Sequence, residues 1–171
     1  MPKPIVNLDE LEFRSFDQTM PPNRPARFDA RIAPIAPRVG AQKLGYNVTV
    51  LPPGKAAYPL HAHRVNEEMF FVLEGAGELR VGAERFPLRK GDFVACPPGG
   101  PETAHQILNT SSAELTLLSV STKLWPEIVD YPESKKVGVA ADLGPGPDGK
   151  PRVIRFLARA GESLDYWDGE G

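Results

Sequence analysis

At 171 residues the chain is long enough for one hydrophobic core, and its formal net charge of −2 offers no basic field for nucleic acid or an anionic membrane surface. Its apolar runs, such as Met69 to Leu73, fall far short of the roughly 20 residues that span a bilayer, and the opening "MPKPIVNLDELEF" lacks the apolar stretch of a secretory leader. With 19 prolines, 16 glycines and one cysteine, long helices and an internal disulfide are excluded, and a soluble, cytoplasmic, β-rich protein is expected.

Residues 1–40 carry seven prolines and no sustained helical or strand period, so an extended proline-rich arm is expected there, lying on the domain formed by 41–171 or on a neighbouring subunit. From Leu44 the pattern changes. Leu44, Tyr46, Val48 and Val50 alternate with Gly45, Asn47 and Thr49 before "PPG", which predicts a strand with one apolar face. Short predicted strands follow over 58–63, 68–73, 78–81, 84–88, 92–96, 103–108 and 114–121, separated by turn chemistry such as "EGAG", "RKGD", "PPGGPE" and "NTSSA". After Trp125 the pattern predicts strands over 127–131 and 152–158 around the loop "GPGPDGKP", then a polar tail. Regular short strands with turns between them indicate an antiparallel sandwich or barrel. Met69 to Leu73 lacks polar alternation, so that strand should be covered on both faces.

Only three histidines are present, His61, His63 and His105. Residues two apart on a strand point to the same side, about 7 Å apart, so His61 and His63 can chelate one ion. A glutamate from the next strand, Glu67 or Glu68, can add an oxygen, and His105 follows a glycine-rich turn that can return a third imidazole. A His-x-His pair is equally found at a surface or satisfied within a core. Three nitrogens and one carboxylate suit a divalent Mn, Fe, Ni, Cu or Zn ion without choosing among them.

These residues resemble the cupin superfamily, small β-barrels with two sequence motifs around a metal. Gly54, His61, His63, Glu68 and Gly75 match the first motif with one extra residue after Gly54; Gly91, Pro97, Gly99, His105 and Asn109 match the second with three extra residues before His105. The resemblance covers about 44–121, and the flanking text is similar to a group of single-domain bacterial cupins without an assigned reaction. It implies an all-β double-stranded β-helix barrel with His61, His63, Glu68 and His105 as metal ligands. The interval to Gly75 selects Glu68, and strand parity then turns Glu67 outward and Phe70 and Val72 inward. The three extra residues fall at the mouth of the barrel.

The resemblance implies a mononuclear metalloenzyme acting on a small organic molecule, as a dioxygenase, a decarboxylase or a sugar or sugar-phosphate isomerase. The alternative is a non-enzymatic binding or sensing module. Tyr46, Tyr58, Glu102 and Gln106 are candidate groups around the ion. No arginine or lysine is clearly sent inward, which weakens a phosphate-binding role. Cys96 is expected to be a small buried strand residue rather than a reactive thiol. A homodimer is expected to cover the outer face around Met69, Phe71 and Leu73.

Overall fold

The computed structural model describes residues 3–159 and 161–171. Its strands are β1 (Arg14–Ser15), β2 (Arg31–Pro34), β3 (Leu44–Leu51), β4 (Ala62–His63), β5 (Glu68–Glu74), β6 (Ala76–Val81), β7 (Glu84–Arg89), β8 (Phe93–Cys96), β9 (His105–Leu108), β10 (Leu115–Thr122), β11 (Glu127–Tyr131), β12 (Lys136–Pro145) and β13 (Pro151–Arg159), with one helical turn, α1 (Phe16–Thr19), after β1. They form a six-stranded sheet ordered β1-β2-β3-β10-β5-β8, a four-stranded sheet β13-β12-β11-β4 and a three-stranded sheet β7-β6-β9, all with antiparallel pairing. This is a double-stranded β-helix. None of its helices is long and apolar enough to cross a membrane, among the described residues.

Strand alternation positions the core. Leu51 lies opposite Leu115, and Thr49 opposite Leu117 and then Val72, so one face of β3, β10 and β5 turns into the barrel. Leu51, Leu115 and Val72 are fully buried there, each worth about 1.5–3 kcal/mol relative to exposure. Gly75 makes the turn from β5 to β6 possible: its φ is +86°, and a Cβ at this position would strike the Glu114 carbonyl.

Three elements differ from their sequence reading. The N-terminal segment is not merely extended, because β2 pairs with β3 and the rings of Phe16 and Phe28 are buried, Phe16 within the main core. Residues 58–61 form no strand; only Ala62–His63 do, because Pro59 interrupts the run. β12, with Gly138 and two alanines and little strand propensity of its own, is paired on both sides by β11 and β13.

Asn109 is 1% exposed and fastens two turns, donating to the carbonyls of Leu51 (2.8 Å) and Ala113 (2.7 Å) while its side-chain oxygen accepts from the Ser111 N–H (3.0 Å). Asn109→Ala strands these groups and should cost about 2–3 kcal/mol, read as a lower urea midpoint at an unchanged slope.

Candidate metal centre

The candidate ligands meet because main-chain pairing brings distant segments together. The N–H of His61 donates to the carbonyl of His105 at 3.2 Å, and the N–H of His105 donates back to the carbonyl of His61 at 2.8 Å. His63 lies opposite Val129 of β11, and its carbonyl accepts from the N–H of Gly99 at 2.8 Å. Glu68 opens β5, opposite Ser121 of β10 and Cys96 of β8. The three residues inserted before His105 are absorbed locally. Pro101–Thr103 form a single 3₁₀ turn, closed by the Thr103 hydroxyl on the Gly100 carbonyl at 2.9 Å, and His105 emerges in register with His61.

One oxygen, Glu68 Oε2, is the focus of the cluster. His105 Nε2 lies 3.1 Å from it, His63 Nε2 3.6 Å and His61 Nε2 3.9 Å. One ligand atom each from His61, Glu68 and His105 lies within 4.8 Å of the others; His63 is not part of this trio. His61 Nδ1 donates to the Pro59 carbonyl at 2.8 Å, which holds its proton on that nitrogen and turns the Nε2 lone pair toward Glu68. Both ring nitrogens of His63 are buried without a hydrogen-bond partner. Buried polar atoms are rarely left so, and three imidazoles around one carboxylate form a borderline N/O donor set; these residues fit a divalent transition-metal ion. Glu67 is exposed.

The electrostatics follow from burial. The His61 imidazole is pushed down to about 4 by desolvation and then by His105, against the opposing pull of Glu68. Burial pushes the Glu68 carboxyl up, yet the hydrogen bond from His105 and the fields of His63 and His61 together bring it below its ordinary value. Burial raises Tyr58, helped by the Glu68 charge, and also raises Tyr131. Cys96 is 4% exposed and its thiol is pushed up to about 12, chiefly by burial, so it is not a thiolate nucleophile at neutral pH.

A cavity of about 280 Å³ adjoins the cluster. Leu51, Phe70, Ile107 and Leu117 give it an apolar wall, while Asn47, Thr49 and Ser119 supply neutral hydrogen-bonding groups. Tyr131 stacks on His61 with ring centroids 6.1 Å apart, and Tyr58 meets its edge at 6.4 Å. Tyr58 and Gln106 border the cavity, and the Gln106 amide donates to the Tyr58 carbonyl at 2.6 Å; Tyr46 and Glu102 are not part of the lining. No arginine or lysine lines it among the described residues. Sequence reasoning passed over Tyr131, Asn47, Thr49 and Ser119. Strand parity puts Asn47 and Thr49 on one face of β3, but the apolar alternation drew attention to the opposite face, whose Val48 and Val50 are also buried, whereas Tyr131 comes from a strand distant in sequence.

The fold and the cluster define a double-stranded β-helix protein with a candidate metal centre in its barrel. Residues 47–121 match the Cupin_2 family, so this stretch of the chain is a cupin domain. Its structure is similar to that of a sugar phosphate isomerase from a cupin superfamily, from Silicibacter pomeroyi, at a TM-score of 0.72 and 25% identity, covering 98% of this chain and 100% of that one. An uncharacterized protein of Methanocaldococcus jannaschii is 37% identical over 62 residues, 36% of this chain and 47% of that protein. Quercetin 2,3-dioxygenase of Bacillus subtilis is 37% identical over 59 residues, 34% of this chain and 18% of that enzyme. The chain thus spans less than half the length of these two relatives.

Because His61 resists protonation in the folded state, the unfolded chain takes up the proton first as pH falls below 6.5. The chelator-treated protein should therefore lose stability between pH 6.5 and about 4, by at most about 3 kcal/mol from this group, with Glu68 extending the loss below 4.5. Urea unfolding across this range should show the decline, and His61→Asn should flatten it.

Proposed function

We propose that His61, His63, Glu68 and His105 hold one divalent transition-metal ion, Mn, Fe, Ni, Cu or Zn, and that the protein acts on a small, neutral, hydroxyl- or carbonyl-bearing molecule in the adjoining cavity. The observation that carries this reading is the approach of three imidazole nitrogens to within 3.9 Å of one Glu68 oxygen, with one of the three rings, His63, having both nitrogens buried without a hydrogen-bond partner. When bound, such an ion supplies Lewis acidity toward a carbonyl or hydroxyl, or, for a redox-active metal, reactivity toward oxygen.

The chain's own groups do the rest. Phe70, Leu51, Ile107 and Leu117 exclude water, and Asn47, Thr49 and Ser119 offer hydrogen bonds to hydroxyl groups of the ligand. Tyr58 and Tyr131, both raised by burial, remain protonated and donate at neutral pH. With no arginine or lysine in the wall among the described residues, an anionic group would have only the ion itself as a cationic partner, so a remote phosphate is poorly served and a neutral sugar or a phenolic compound is supported ahead of a sugar phosphate.

A second reading, a non-enzymatic ligand-binding cupin, is supported by one feature. With the four ligands assigned to the ion, the remaining titratable groups of the wall are the two tyrosines, and neither is a ready base. Catalytic turnover of neutral sugars or phenolic compounds by the metal-loaded protein favours the enzyme; saturable binding without turnover favours the sensor.

Elemental analysis should find one transition-metal ion per chain after loading, and His61→Ala, His63→Ala and His105→Ala should each abolish it. No bound metal in the wild type after incubation with Mn, Fe, Ni, Cu and Zn salts overturns the reading.

We further propose that two copies associate. Phe93 is 75% exposed and packs at a tilt on Phe71 of the outer sheet face, while Ile154, Phe156 and Leu157 of the β12–β13 hairpin are 54%, 62% and 56% exposed. Light scattering at micromolar concentration should give twice the monomer mass; a monomer mass refutes association.

A further inference from the structure

Glu127, the first residue of β11, is 7% exposed, and its two oxygens accept from four N–H groups and stand beside one imidazole nitrogen. Oε1 accepts from the main-chain N–H of Ile128 at 2.9 Å and of Val65 at 3.2 Å. Oε2 accepts from the main-chain N–H of Asn66 at 3.0 Å and from the Asn66 side-chain amide. The imidazole nitrogen is His63 Nδ1, 3.4 Å from Oε2, close enough to be served by this carboxylate with a small rotation of either side chain although no hydrogen bond is formed in the structure.

Asn66 continues the network on its other side. It accepts from the Thr122 hydroxyl at 2.8 Å and the Leu124 N–H at 2.7 Å, and donates to the Leu124 carbonyl at 3.0 Å. The short loop Arg64–Asn66, which sets the distance between His63 and Glu68, is thereby tied to the end of β10 and the start of β11. His63 lies between two carboxylates, with Glu68 3.6 Å from Nε2 and Glu127 3.4 Å from Nδ1. Glu68 already accepts from His105 at 3.1 Å, whereas Glu127 has no competing imidazole.

We propose that Glu127 is a positioning residue for the metal centre: it accepts the Nδ1 proton of His63, so that the Nε2 lone pair faces Glu68 and the ion. Histidine ligands are commonly oriented by an acceptor on the other ring nitrogen, and loss of that acceptor weakens metal binding by about 10–100-fold. The inference rests on the metal-binding reading above. A carboxylate, an acceptor on both oxygens, serves the four N–H groups and can accept from Nδ1–H; a glutamine amide must turn a donor toward some of them and can donate to Nδ1 itself.

The test combines tautomer and affinity. Long-range ¹H–¹⁵N correlation of the chelator-treated protein at pH 8 should show His63 as the Nδ1–H tautomer, with Glu127→Gln shifting it toward Nε2–H. Titration with Co²⁺, followed by its visible absorption, should give Glu127→Gln an affinity about 10–100-fold lower than the wild type. Asn66→Ala removes the side-chain bonds that tie the loop to Glu127, Thr122 and Leu124 while leaving the main-chain N–H groups of Val65 and Asn66 on Glu127, and should lower the thermal midpoint while leaving the tautomer as in the wild type. An Nε2–H tautomer in the wild type overturns the proposal, even if Glu127→Gln does not fold. So does an unchanged Co²⁺ affinity in Glu127→Gln, or a tautomer shift in Asn66→Ala equal to that in Glu127→Gln, either of which leaves Glu127 a loop anchor only. If the wild type binds no Co²⁺, the metal-binding reading fails, and the tautomer still decides whether Glu127 holds His63.

Discussion

The paired main-chain hydrogen bonds between His61 and His105 are the constraint on which the site depends. They join the segment before β4 to the start of β9, and with the Gly99 N–H held on the His63 carbonyl they bring all three histidines to one end of the barrel. Side-chain rotamers alone would place imidazoles only loosely. A two-way backbone bridge sets the distance between the parent strands, leaving each ring little freedom beyond its own torsions. Glu68 then needs only to be the first inward residue of β5 to stand among them.

Such convergence carries an electrostatic cost that the protein meets locally. Three imidazoles and one carboxylate share a largely buried space, where desolvation and then the His105 field hold His61 neutral, while the His105 hydrogen bond and the histidine fields keep Glu68 charged. Around this centre the polar groups are arranged in layers: Pro59 receives the outer proton of His61, while Glu127 stands behind His63 and also holds the loop leading to Glu68. Glu127 thus touches both the His63 ring and the loop that separates His63 from Glu68.

The cavity beside the cluster narrows the chemistry more than the fold does. A double-stranded β-helix hosts many reactions, so the cupin domain defines where a site sits and not what it turns over. What distinguishes this wall is its neutrality: hydroxyl and amide groups on β3 and β10, aliphatic side chains beneath, and two protonated tyrosines flanking His61. Recognition by such a wall runs through hydrogen bonds and shape rather than charge.

The sequence by itself determined the alternation that makes β3 a strand, the continuous apolar run that makes β5 one, the opposite facing of the adjacent Glu67 and Glu68, and the glycine at position 75 that the β5–β6 turn requires, because each is a local property of a few consecutive residues. Only the tertiary structure decided the rest. It showed the insert before His105 closing as a 3₁₀ turn with the register intact, the N-terminal segment adding β2 and Phe16 to the barrel, and β12 extending between two partners. It also placed Glu127 against Asn66, which lies 61 positions earlier in the chain. None of these carries a local signature, since each depends on which surfaces and hydrogen-bonding groups remain unpaired once distant segments have come together.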